Sequence, residues 1–251
     1  MAVRVILLVL VTENHIDSLF KKVITSSCQH DNVVLYFAHG GSEFRHDGHD
    51  LFFPIKDNFE NMLLKTQLAI EYIERTHKGQ YDYLVRSNMS TLFDIPKLLV
   101  RLETFPRERC FSGPMIAFND RPIVSGTAII LSQDMVHYVL QDACLFRMPG
   151  SGANNEDMVI NRMIPRPFYF AHVPRLDFIG HVLCNNGYPG SDILCFRFKT
   201  ADRRHDVERM KQVLAAIQNE ELWEFVNSLP EEKCCDSPIT MYLFERAVYI
   251  S

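Results

Sequence analysis

The segment Tyr81-Asp82-Tyr83-Leu84-Val85-Arg86-Ser87-Asn88-Met89-Ser90-Thr91 organises the reading of the whole chain. Tyr83-Leu84-Val85 is a short β-rich apolar strand. It ends in Arg, Ser and Asn, polar residues that a buried strand does not need for its own packing. Immediately upstream, Glu60 to His77 has the helical stripe Leu63, Leu64, Leu68, Ile70 and Ile73, with Gly79 as its stop. Before that helix come a short apolar run, Leu51 to Ile55, and a strand, Val33 to Ala38, closed by the turn His39-Gly40-Gly41. Further back, His15 to Ser27 carries Ile16, Leu19, Phe20, Val23 and Ile24 at helical spacing, and Val3 to Val11 is a continuous apolar run suited to a strand buried on both faces. The order β-α-β-α-β predicts an α/β fold in which helices flank a mainly parallel central sheet.

Downstream, Ile95 to Glu103 is expected to be a helix with Pro96 in its first turn. Ile123 to Leu131 reads as one strand containing Gly126, followed by a helix that Ser132 could cap and that buries Met135, Val136, Val139 and Leu140. A Gly-, Ser- and Asn-rich loop, Pro149 to Asn155, leads to a helix starting near Glu156. Ile193 to Phe198 is a late strand and Asp202 to Asn219 a strongly charged helix. No internal repeat or linker divides the 251 residues, so a single domain is expected.

Composition narrows the function. An apolar share of 47% and a charged share of 23% are ordinary for a globular chain and exclude disorder or a collagen-like repeat. The net charge of −5 argues against a dedicated nucleic-acid binder. The longest apolar run, Val5 to Val11, falls far short of the ~20 residues that span a bilayer, so no stable membrane insertion is expected. The seven cysteines, Cys28, Cys110, Cys144, Cys184, Cys195, Cys234 and Cys235, form no C-x-x-C pair and read as small apolar residues in a reducing compartment. With a chain that opens straight into its first strand, they lead to the expectation of a cytoplasmic protein.

Ligands of open α/β sheets bind beyond the carboxyl ends of the strands. That singles out Thr12-Glu13, His39-Gly40, Arg86-Ser87-Asn88 and the loop before Glu156. Phe196-Arg197-Phe198-Lys199 sets two cations at i, i+2 on one side of a strand. The cluster His46-Asp47-Gly48-His49-Asp50 lacks helical two-His geometry and reads as a solvated loop rather than a metal site.

The segment around Arg86 resembles the mid-domain strand of nucleotide-sugar-dependent glycosyltransferases of the GT-A (Rossmann-like) fold, which ends in Asp-x-Asp. Lys65-Thr66 is similar to a Lys-Thr pair on the preceding helix of such enzymes. Val124-Ser125-Gly126-Thr127-Ala128-Ile129-Ile130-Leu131-Ser132 resembles their acceptor-side strand, and Asn154-Asn155-Glu156-Asp157-Met158-Val159 their Glu-Asp-Val element. The resemblance runs roughly from Val3 to Lys199. It implies one domain, 1–251, with a donor-nucleotide half at 1–90, an acceptor and catalytic half at 91–200, and a C-terminal helical extension at 201–251.

The resemblance further implies transfer of a sugar from a UDP- or GDP-sugar to a hydroxyl of a glycan or glycoconjugate, with inversion. Thr12 and Glu13 would lie near base or ribose, and Lys65, Arg86 and Asn88 near ribose, diphosphate or sugar. Arg197 and Lys199 would hold the diphosphate, and Asp157, with Glu156 as second choice, would be the catalytic base. Where the family carries Asp-x-Asp this chain has Arg86-Ser87-Asn88, and Arg offers only donors and positive charge. The implied enzyme is therefore metal-independent and needs no cofactor; Mn²⁺ or Mg²⁺ would enter only if that inference fails. The alternatives are a non-catalytic carbohydrate- or partner-binding relative, and another α/β nucleotide enzyme such as a nucleotidyltransferase or dehydrogenase. Against the last, neither G-x-G-x-x-G nor a P-loop is present.

Overall fold

A computed structural model describes residues 2–12, 17–118, 121–141, 156–179, 182–184, 192–200, 202–228 and 248–250. The first half contains β1 (Val5–Leu10), α1 (Asp17–Ser27), β2 (Val33–Gly40), β3 (Arg45–Asp47), β4 (Asp50–Phe53), a 3-10 turn (Phe59–Asn61), α2 (Met62–His77), β5 (Tyr83–Asn88) and β6 (Thr91–Phe93). Next come α3 (Ile95–Glu103), β7 (Phe111–Ser112), β8 (Met115–Phe118), β9 (Arg121–Val124), β10 (Ala128–Ser132), α4 (Gln133–Gln141) and α5 (Glu156–Met163). Then follow β11 (Phe168–Phe170), β12 (Arg175–Ile179), β13 (Val182–Cys184), β14 (Cys195–Phe198), α6 (Arg203–Gln218), α7 (Leu222–Asn227) and β15 (Val248–Ile250).

The central sheet has seven strands in the order β3-β4-β2-β1-β5-β10-β7. Its middle, β4-β2-β1-β5, is parallel, and the flanking β3, β10 and β7 pair antiparallel. β1 shows why helices cover both faces. Val5, Leu7 and Val9 join a core with Phe20 and Val23 of α1, Leu98 of α3 and Val207 of α6. Ile6, Leu8 and Leu10 join the opposite core, with Ile70 and Ile73 of α2, Val136 of α4 and Ile160 of α5. A strand apolar at every position is the sequence form of this two-sided burial. A second sheet, β13-β12-β14-β6, carries Arg197 in register with Asp177 on one side and Thr91 on the other.

The mixed α/β architecture expected from sequence is observed, with three local corrections. The predicted α2 stripe reaches the apolar core through Leu63, Leu68, Ile70 and Ile73, but its start is only partly buried. Leu63, Leu64 and Leu68 are half-buried, whereas Lys65, Thr66 and Gln67 are buried with Ile70 and Ile73. The first turns of α2 meet two surroundings: Met62, Leu63 and Leu68 rest on the edge of the apolar core, while Lys65 and Thr66 enter a polar network. The strand expected over Ile123–Leu131 is two strands, β9 and β10, separated at 125–127. Finally, Arg86, Ser87 and Asn88 belong to β5 itself, so strand alternation sets where they point.

The α3 bounds match the expectation; Pro96 sits in the first turn, and Asp94 caps by accepting Lys97 N–H at 3.2 Å. Ser132 accepts Cys110 N–H at 2.9 Å and donates to Asp134, linking β10 to its neighbours. Cys28, Cys110 and Cys195 are free and buried, and burial pushes their thiols up to about 11, 12 and 12. Among the described residues no helix is long and apolar enough to cross a membrane. The loop Pro149 to Asn155 lies outside the described residues.

Candidate active site

In the sheet, the chain leaves β1 toward β2 on one side and returns to β5 on the other, so the strand order reverses beside β1. Beyond these carboxyl ends lies a cavity of about 720 Å³, inside the range of small-ligand sites. Its walls include Thr12, Asp17 and Lys21 from the β1–α1 side, His39 from β2, Phe52 and Asp57 from β4 and the segment after it, and Met89 after β5. Gly40 is required in this wall. A Cβ there would stand 2.6 Å from Ile55 O and 2.7 Å from Asp57 N, so only glycine lets residues 55–57 run against the end of β2.

The wall is braced by charge pairs. Lys65, fully buried, donates to Val11 O and Asp57, and Asp57 also accepts Gly40 N–H at 3.2 Å. His39 Nε2 meets Asp50 Oδ1 at 2.6 Å, its ring stacks on Phe52 with centroids 4.7 Å apart, and Lys21 pairs with the other Asp50 oxygen. Burial pushes His39 below its ordinary value, against the upward pull of Asp50.

Next to the cavity, at the ends of β5 and β10, sits a polar cluster. Alternation puts Arg86 on the α2 side of the sheet, with Leu84. Its guanidinium ion-pairs with Glu156 and donates to Gly126 O; Glu156 also accepts Thr66 Oγ1 at 2.7 Å. The Arg86 and Glu156 side chains are only 6% and 3% exposed. Burial pushes the Glu156 carboxyl up, while Arg86 and Thr66 oppose that rise by stabilising the carboxylate. Asn88 is committed too, donating to Gly126 O at 3.3 Å while its Oδ1 accepts from Ser90 N, Ser90 Oγ and Thr91 Oγ1.

Asp157, the next residue of α5, is half-buried; it accepts Gly126 N–H at 3.0 Å and Met158 N–H at 2.9 Å. Those two bonds leave a lone pair on each oxygen. Gly126 is closely packed here: a Cβ would lie 3.1 Å from both the Arg86 guanidinium and the Asp157 carboxylate. Across from Asp157, Arg197 is half-buried, and its Nε has no hydrogen-bond partner among the described residues. Burial and the neighbouring Arg175 push Arg197 down, while Asp177 and Asp157 pull it up. Arg175 itself is engaged by Asp177, Ser125 and Thr127.

The residues singled out from sequence therefore separate into groups. Thr12 is exposed on the cavity wall, and Glu13 lies outside the described residues. Lys65, Arg86 and Glu156 are buried in structural pairs, and Asn88 is held in a local turn. Asp157 and Arg197 interact electrostatically, while Lys199, just past β14, is exposed. The sequence reading missed Asp17, Lys21, Phe52 and Asp57 in the cavity wall. His39 alone carried a signal, as the last side chain before a Gly-Gly turn.

The end of β5 does not fit a divalent cation. A hard metal needs oxygen ligands. Here the first position is a guanidinium, the carboxylate that meets it is neutralised, and the Asn88 oxygen already accepts three hydrogen bonds. Among the described residues no group of three His, Cys, Asp or Glu side chains is placed to hold a metal.

No family model and no curated protein sequence matches the chain. Solved structures do. One is a glycosyltransferase involved in the glycosylation of the major capsid of PBCV-1, with TM-score 0.56 and 11% identity, covering 84% of this chain and 100% of that one. Another is the apo-form glycosyltransferase GlyE in Streptococcus pneumoniae TIGR4, with TM-score 0.51 and 11% identity, covering 93% of this chain and 66% of that one. The likeness is one of architecture: the α/β sheet and its flanking helices form a fold that this chain shares with two glycosyltransferases.

Proposed function

We propose that the protein is a GT-A glycosyltransferase that moves a sugar from a UDP- or GDP-sugar to a hydroxyl of a glycan or glycoconjugate, without a divalent metal and with inversion. The observation that carries this reading is the cavity at the carboxyl ends of β1, β2 and β4, built on a fold shared with glycosyltransferases. In the proposed reaction Asp157 accepts the proton of the acceptor hydroxyl as its oxygen bonds to the sugar's anomeric carbon. The bond from that carbon to the diphosphate breaks, and its electron pair leaves with the nucleoside diphosphate. Arg197 and Lys199 stabilise the charge that develops there. Arg86 and Glu156 act one step back, tying β5, α2 and the Gly126 turn to the start of α5. Glu156 is then a positioning residue, and the base is its neighbour.

A second reading, a non-catalytic relative, is favoured by one observation: Arg86 and Glu156 neutralise each other at the place where this fold's enzymes use free carboxylates. Assay of nucleoside diphosphate release from UDP- and GDP-sugars in EDTA separates the two. Release that falls roughly 10²-fold or more in a folded Asp157→Asn variant supports the enzyme. Release that needs added Mn²⁺ overturns the metal-free mechanism. Donor binding without release leaves the non-catalytic relative.

A further inference from the structure

Asp17 opens α1 and belongs to none of the groups considered so far. It is 5% exposed, yet it lines the cavity. Its carboxylate accepts the backbone N–H of Thr12, and its Oδ2 has no hydrogen-bond partner among the described residues. A buried acceptor without a donor is costly, so a carboxylate kept in this state at a cavity wall marks the place of a ligand's donor.

The chemistry of that donor follows from the surrounding charges. Asp57 is paired with Lys65, Asp50 with Lys21 and His39, and the cations whose charge acts on Asp17 are Arg203 and Lys65. The wall has no negative excess that would call for a cationic ligand. A neutral group offering O–H donors fits. The rest of the lining narrows it further: the same cavity is walled by the His39 ring stacked on Phe52, held through Asp50 and Lys21. An aromatic wall and a hydrogen-bond acceptor in one cavity suit the base and ribose of one nucleoside, and a carboxylate suits two adjacent hydroxyls.

We propose that Asp17 selects ribonucleotide donors by accepting hydrogen bonds from the ribose 2′,3′-diol. The proposal rests on the nucleotide-sugar reading and deepens it, since it assigns ribose recognition to α1 rather than to the end of β5. The ligand's hydroxyls replace the partner that Oδ2 lacks. Burial pushes the Asp17 carboxyl up to about 6, with Asp57 adding to the rise and Arg203 and Lys65 opposing it. A bound diol shifts that balance toward the ionised form.

The test is calorimetric titration of the whole protein with UDP and GDP and with their 2′,3′-dideoxy counterparts. The native protein should prefer the ribonucleotide by about 10-fold or more, as expected for hydrogen bonds to a charged acceptor. Asp17→Asn keeps an oxygen for the Thr12 bond and should reduce that preference to about 3-fold or less, leaving dideoxy affinity unchanged. Equal affinity for ribo and dideoxy forms in the native protein overturns the proposal alone, as does a preference that survives in Asp17→Asn. If no nucleotide binds in either form, the proposal and the nucleotide-sugar reading fall together.

Discussion

Replacing Asp17 with Asn should make the unliganded protein more stable at neutral pH. In the folded protein the Asp17 carboxyl is raised from 3.8 to about 6, chiefly because burial disfavours its charge. Ionising it inside the fold therefore costs on the order of 3 kcal/mol more than in the unfolded chain. The variant removes that cost and introduces two smaller ones. It loses a negative charge at a helix N-terminus, worth about 0.3–1 kcal/mol, and leaves one buried amide group without a partner, about 1 kcal/mol. A net gain of about 1–2 kcal/mol remains, or about 3–6 °C in melting temperature for a chain of this size.

The pH dependence carries the sign. Below pH 3.8 the carboxyl is protonated in both states and this source of difference vanishes. Between 3.8 and about 6 the unfolded chain gives up a proton that the folded protein retains, so the native protein loses stability as pH rises. Above that window the deficit is constant. Melting curves of both proteins at pH 4.5, 5.5, 6.5 and 7.5 should show a gap that opens through this range and then levels off. A gap independent of pH, or a variant less stable at pH 7.5, would refute the argument that Asp17 is held uncompensated.

Two further perturbations probe the buried pairs. Arg86→Met should cost about 3–5 kcal/mol in urea denaturation because Glu156 is left charged and unpaired, and adding Glu156→Leu should recover most of that loss. A double variant as unstable as the single one would show that the ion pair is not the source. Lys65→Met leaves the Asp57 carboxylate and Val11 O without their shared donor. It should destabilise by a similar amount and weaken UDP or GDP binding in titration; unchanged binding in the folded variant would separate Lys65 from the cavity wall.

The fold was largely legible because its strongest signals are local. An uninterrupted apolar run marked β1, and Pro96 and Gly79 marked helix ends, the latter with φ of 74°. The site was less legible because its polar residues are placed by contacts far apart in sequence. Arg86 read as a ligand-facing residue at a strand end, but β5 continues through Asn88, and strand alternation turns Arg86 under α2 toward Glu156, 70 positions away. The burial of Lys65 and Thr66 on α2 was hidden from the apolar stripe for the same reason: their partners are Asp57 and Glu156, distant in sequence or in a separate segment. Asp17 gave no signal at all, since an acidic residue at a helix start is ordinary and only closure of the cavity wall strips its carboxylate of water.

These contacts also bear on what a guanidinium at the end of β5 requires of its surroundings. An uncompensated guanidinium buried beneath α2 would be severely destabilising, so Arg86 is tolerable there only with a carboxylate brought to it. Glu156 fills that role and is thereby removed from solvent. Under the proposed mechanism, the burden of proton transfer must then fall on a neighbour that this pairing leaves accessible. Asp157 meets that condition: it is half-buried, anchored through Gly126 N–H, and electrostatically coupled to an Arg197 whose Nε lacks a partner among the described residues. The same argument explains why a side chain at Gly126 would displace its neighbours. Its carbonyl serves Arg86 and Asn88 while its amide serves Asp157, and a Cβ would press on both charged groups at 3.1 Å. One glycine thus couples the structural ion pair to the carboxylate proposed to do the chemistry.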